Sequence, residues 1–109
     1  MTDADEKLLK EREAAERRLA REHQAMMRWM LSQKPARRFI GWLLFDPLAA
    51  NLSASVFDRD ALAMATKVGV QQVGLALQQQ FQDADFDQYL VMLAEYRKLT
   101  DNTTNEETT

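Results

Sequence analysis

Lys34–Phe45, KPARRFIGWLLF, is the stretch in which a basic step runs directly into a dense apolar block. Arg37 and Arg38 precede Phe39, Ile40, Trp42, Leu43, Leu44 and Phe45. Pro35 cannot continue a preceding helix but suits the first turn of a new one, with Ser32 or Gln33 as its cap. Asp46-Pro47 stops that helix, because the residue before proline avoids helical backbone angles. The segment reads as a short central helix with Phe39, Trp42 and Leu43 on one face and Ile40 and Leu44 beside them. Trp42 is expected to be the buried centre around which the flanking segments close. Gly41 costs about 1 kcal/mol there unless a neighbouring helix needs the room.

Toward the N-terminus, residues 3–31 form one uninterrupted helical pattern. Good helix formers dominate, and Asp3 with Lys7, Glu6 with Lys10 and Glu13 with Arg17 sit at i,i+4, each pair adding roughly 0.2 to 0.5 kcal/mol. A heptad walk gives Leu8, Arg12, Ala15, Leu19, Glu22, Met26 and Trp29, so two of its seven positions are charged and it does not read as a sustained coiled coil. From Ala25 onward AMMRWML is apolar on most sides and calls for burial. The expectation is a protruding charged arm over 1–25 and a docked second half of the helix.

Toward the C-terminus, 48–57 (LAANLSASVF) carries Asn51, Ser53 and Ser55, which favour a loop or single turn. A strand over 54–57 would find nothing in the chain to pair with. Asp58 is placed to cap a third helix running to about Gln82, with Leu62, Thr66, Val70, Val73, Leu77 and Phe81 as its buried stripe. Gly69 and Gly74 inside it together cost roughly 1.6 to 2 kcal/mol, which close approach by another helix would offset. Gln71, Gln72, Gln78, Gln79, Gln80 and Gln82 form its wet face. Asp85 with Gln88 begins the last helix as a capping box, and Tyr89, Leu90, Leu93 and Tyr96 supply its inner face. After Leu99, TDNTTNEETT has no apolar anchor, so 100–109 reads as a disordered acidic tail. The fold class is all-α: a long charged N-terminal helix, a compact three-helix module over 26–99, and the tail.

Composition narrows the function. The chain has 109 residues, enough for one domain, and a core segment of this size leaves a thin stability margin that self-association or a partner would widen. There is no cysteine, which excludes disulfides and thiolate metal sites. The acidic start TDADEK lacks a secretory h-region, and the apolar run between Arg38 and Asp46 is far short of the ~20 residues of a membrane span, so a soluble intracellular product is expected. Net charge is -3 but unevenly spread. Residues 17–38 hold seven bases (Arg17, Arg18, Arg21, Arg28, Lys34, Arg37, Arg38) against Glu22, while 83–109 holds seven acids against Arg97 and Lys98. One copy's basic segment could face a neighbour's acidic one, or both could be solvated faces.

Catalytic and metal chemistry find no foothold. His23, the single histidine, follows Glu22 in a charged helix and has no partner at ligand or nucleophile spacing. Asp83, Asp85 and Asp87 alternate as in a calcium loop but lack the turn glycine and the terminal bidentate acid, so helix capping explains them. Gly69 and Gly74 are neither spaced nor placed like a phosphate loop. No enzyme activity, cofactor or metal is expected. Arginine with tryptophan can bind nucleic acid, but Trp42 is expected inside.

The segments MLSQKPARRFIGWLL, KVGVQQVGLALQQQF and DADFDQYLVMLAEY, in that order around a loop holding Ser55 and Phe57, resemble a family of small tailed-phage proteins named after a gene of a Bordetella podophage and found among virion and packaging genes. The likeness covers about sixty residues, 30–96 at its widest, and leaves out the charged N-terminal helix. Ala36 stands where the family usually has glycine, and Val70 with Gln71 replaces a more basic stretch, which lowers the expectation of nucleic-acid contact there. The resemblance implies a virion structural or assembly component at the head, portal vertex or internal ejection apparatus, present in the virion and in the host cytoplasm during assembly. It transfers no catalytic residues. Contacts with other copies, as in a ring, or with portal or core proteins are expected through the arm (Leu8, Leu19, Met26), the basic step (Arg37, Arg38) and the small-residue surface (Gly69, Gly74). The rival expectation is an accessory protein binding nucleic acid through Arg17, Arg18, Arg21 and Arg28 together with Arg37 and Arg38; an effector that binds a host enzyme is a third.

Overall fold

Four helices follow one another in a computed structural model of the chain: α1 Asp3–Leu31, α2 Lys34–Phe45, α3 Ala61–Ala84 and α4 Phe86–Thr108. The structure describes residues 2–108, with side chains through Asp101. The protein is all-α, with a long first helix followed by a three-helix module, and no strand occurs among the described residues. Residues 54–57 are loop. Of the expected tail, 100–109, the backbone through Thr108 continues α4, and Thr109 lies outside the described residues.

Caps set the boundaries. Thr2 Oγ1 accepts from the Asp5 amide while the Asp5 carboxylate accepts from the Thr2 amide, a capping box that fixes the start of α1. The Thr2 hydroxyl, which donates to the Asp5 carboxylate at 2.8 Å, and then the Thr2 amide hold the Asp5 carboxyl below its ordinary pKa. Gln33 is the N-cap of α2 but makes no side-chain cap bond, and Ser32 serves the end of α1 instead, donating its hydroxyl to Trp29 O. The N-cap of α3 is Asp60, which accepts from the Leu62 amide, rather than the expected Asp58. Asp58 instead accepts from the Asp60 amide and pairs with Lys67 Nζ at 2.9 Å, so the loop's last turn is tied to the second turn of α3. Asp85 accepts from the Gln88 amide at the start of α4, as its position in the sequence dictates.

The core is one turn deep. Met27 and Leu31 enter it from α1, Ile40 and Leu44 from α2, Phe81 and Ala84 from α3, Tyr89 and Met92 from α4. Each helix thus gives one i,i+3 or i,i+4 pair, the spacing that puts two side chains on one face. Met30, Phe45, Leu52, Leu77 and Leu93 seal its edge. The buried Tyr89 hydroxyl accepts from Gln78 Nε2 at 2.6 Å, so its polar end is satisfied.

This geometry overturns four expectations. Trp42 is 41% exposed and stacks on the equally outward Phe39 at 5.8 Å; Ile40, Gly41 and Leu44 form the inner face of α2. Tyr96 of α4 decides that orientation, because it lies on Gly41, where a Cβ would sit 3.0 Å from its ring. The wide tryptophan cannot take that seat. Second, the stripe predicted for α3 is buried only at its C-terminal end: Phe81 is inside and Leu77 partly so, while Leu62, Thr66, Val70 and Val73 are exposed. The N-terminal half of α3 is tied to the 46–60 loop, through Lys67 to Asp58 and through Gln71 to Asn51 O and Ala54 O. Third, Trp29 points outward, with Met27, Met30 and Leu31 carrying the docking of α1. Fourth, on α4, Leu90 is exposed and Met92 takes the inner place expected for it.

A chain of this length packed as a compact domain would have a radius of gyration of about 13 Å, against 19.0 Å here with extents of 71 × 39 × 16 Å. Its accessible surface, 8403 Å², exceeds the roughly 6,200 Å² typical of a folded monomer of this mass. The excess belongs to the outer part of α1 and the free half of α3.

Candidate interaction surfaces

The side chains expected to make contacts divide into those already used inside the chain and those left outside. Arg37 is used. Its Nε and Nη2 meet the Glu95 carboxylate at 2.9 to 3.3 Å and its Nη1 donates to Leu31 O, which locks α2 to α4 and to the end of α1. Two-pronged arginine–carboxylate geometry of this kind is stronger and more directional than a lysine pair. Arg28 is also used, donating Nε to Ala84 O at the C-terminus of α3, where the unpaired carbonyls carry partial negative charge. Gln24 donates to Asp83 O and His23 lies 3.2 Å from Gln80, so α1 docks on α3 from residue 23 onward. His23 remains a surface side chain.

The two α3 glycines differ. At Gly74 a Cβ would lie 2.5 Å from the Ala50 Cβ, so the 46–60 loop, rather than a helix, makes the close approach there. Gln71 reinforces it by donating to Asn51 O and Ala54 O, with Asn51 in the left-handed region at φ 52. Gly74 is therefore covered by its own chain. Gly69 has nothing within 4 Å of the position a Cβ would occupy, and Leu62, Val70 and Val73 around it are exposed.

Outside lie Leu8, Leu19 and Met26 on α1, each more than 60% exposed, with Trp29 continuing the line. Residues 2–22 are exposed throughout apart from the half-buried Ala15. Arg17, Arg18, Arg21 and Arg38 are exposed. Between the start of α2 and α4 lies an open cleft of about 420 Å³ lined by Lys34, Arg38, Glu95, Tyr96, Lys98 and Leu99. Three cations surround it, and its one acid is already engaged by Arg37. No group of three metal-ligating side chains occurs among the described residues, and no helix of the described residues is long and apolar enough to cross a membrane.

Sequence reasoning missed the intramolecular use of Arg37 and Gly74. The signal for Arg37 was Glu95 on another helix, which no local pattern connects to it. For Gly74 it was the run of small residues at Ala49 and Ala50. No family model, curated protein or solved structure matches this chain. The phage likeness accordingly stands on the quoted segments alone.

Proposed function

We propose that the chain is a non-enzymatic virion structural or assembly protein of a tailed phage, acting by helix packing in a homo-oligomer or on a portal or core protein at the head–portal vertex or internal ejection apparatus. The observation that carries the assembly part is the surface excess: a core of one turn per helix supports an arm and a half-helix that leave Leu8, Leu19, Leu62, Val70 and Val73 exposed. Exposed apolar patches beyond a few hundred Å² mark sites of association. The phage part is supported by the resemblance of the three quoted segments. Leu8, Leu19 and Met26 remain the arm's contact residues, Arg38 the free member of the basic step, and Gly69 the free member of the glycine pair. Mass spectrometry of purified particles tests this reading. A component present in fixed multiples per particle is expected, and absence from particles overturns it.

Binding to nucleic acid is the second reading, favoured by Arg17, Arg18 and Arg21, which lie exposed within little more than one turn of α1. Arg28 and Arg37 are held by Ala84 O and Glu95, which shortens the basic track. Phosphate contacts weaken steeply as salt rises, so a mobility shift at low salt that vanishes at physiological salt supports it, and no shift at low salt removes it.

A further inference from the structure

We infer that the outer face of α1 pairs with α1 of a second copy in antiparallel orientation, related by a two-fold axis near residue 17. The inference rests on the self-association part of the function proposed above and specifies its geometry. The heptad line of α1 runs along one side of the helix, while Met27, Leu31, Gln24 and Arg28, which dock on the rest of the chain, occupy the roughly opposite side. Every member of the line but the half-buried Ala15 is exposed, and Met30, beside its C-terminal end, is the one docking residue at its edge.

Two charged positions argue against a coiled coil when the helix is considered alone, and they become complementary in this arrangement. With the axis near residue 17, Arg12 of one copy faces Glu22 of the other, Ala15 faces Leu19, and Leu8 faces Met26. Each of these joins an a position to a d position, the layering that an antiparallel pair requires. Flanking charge agrees. Residues 3–16 carry six acids against three bases, and residues 17–28 carry four bases against one acid. Antiparallel pairing lays the net -3 stretch on the net +3 stretch twice, whereas parallel pairing lays like on like. The surface excess is more than the roughly 800 Å² per partner of a standard interface, so the arm has area to give.

The chain has no cysteine, so single thiols can be placed at will. Leu8→Cys and Met26→Cys are purified separately, then oxidised alone and as a mixture. Both positions are exposed, and circular dichroism establishes that each variant keeps its helices. Efficient disulfide formation is expected in the mixture only, since identical positions lie about 27 Å apart along an antiparallel pair. Cross-linking of either variant alone to a similar extent means parallel pairing and overturns the inference, as does the absence of cross-links in all three samples. Arg12→Glu and Glu22→Arg give a second readout. Each alone is expected to weaken association roughly tenfold or more by setting like charges face to face, and the double variant to restore it; no recovery contradicts the Arg12–Glu22 layer. A negative result leaves the particle test standing, because a chain that meets only a portal protein would still be counted in fixed multiples while never cross-linking to itself.

Discussion

The contact between α2 and α4 and the outer half of α1 draw on the same residue types and use them oppositely. In the first, Arg37 reaches Glu95, Tyr96 lies on Gly41, and Ile40 and Leu44 are wholly enclosed. In the second, Leu8 and Leu19 stand in solvent on a helix stabilised by its own capping box and by the acids Asp3, Asp5 and Glu6 at its positive N-terminal end. The difference teaches that a helix can be specified without being packed: helix-forming residues and a capping box set it out, and its apolar line is then available to another molecule.

Substitutions that shrink the core sharpen this contrast most. Leu44→Ala should cost about 2 to 5 kcal/mol, whereas Leu62→Ala, at a site 77% exposed, should fall within about 0.5 kcal/mol; urea denaturation of dilute protein measures both. Arg37→Ala is next, with an expected loss of about 1.5 to 3 kcal/mol because Glu95 and Leu31 O lose a charged partner in a half-buried setting. Arg37→Lys should recover only part of it, since lysine cannot bridge both groups. The glycines invert the sign between themselves. Gly74→Ala should destabilise by about 1 to 3 kcal/mol through the clash with Ala50, while Gly69→Ala, with open space around it, should stabilise the monomer by about 0.5 to 1 kcal/mol. Thermal melts of the two variants side by side measure both signs, and equal shifts would contradict the packing of the loop on Gly74.

The smallest effect concerns acid. Lys67, then the Asp60 amide, hold the Asp58 carboxyl below its ordinary pKa. A depressed carboxylate favours the folded form at pH values above the ordinary 3.8 and loses that contribution as pH falls through the lowered value. Amide exchange at the start of α3 should therefore quicken on going from pH 5 to pH 2 after correction for intrinsic rates. Asp58→Asn should show the quicker corrected exchange already at pH 5.

Much of the fold was legible because the decisive signals are local. Pro35, Asp46-Pro47 and Asp85 with Gln88 mark helix ends by backbone chemistry that needs no distant partner. The inward faces were less so. The stripe from Leu62 to Phe81 has helical period along its whole length, but period tells only that one face is apolar, not whether this chain or another covers it. Trp42 differs from its sequence expectation for a related reason: size favours the centre, yet Tyr96 packs on the neighbouring Gly41, and that contact joins residues 55 apart in sequence. Among the interaction residues, Leu8, Leu19, Met26, Arg38 and Gly69 lie outside as the pattern dictates, while Arg37 and Gly74 are enclosed by partners that only the tertiary structure reveals.

Sedimentation velocity of the full chain over a range of concentrations at low salt tests the central claim, that the outer line of α1 is kept for a second copy. The account predicts a species of twice the 12.6 kDa chain mass that grows with concentration and is lost in Leu19→Glu with helicity intact. A chain that stays at single mass throughout, indistinguishable from Leu19→Glu, would contradict it.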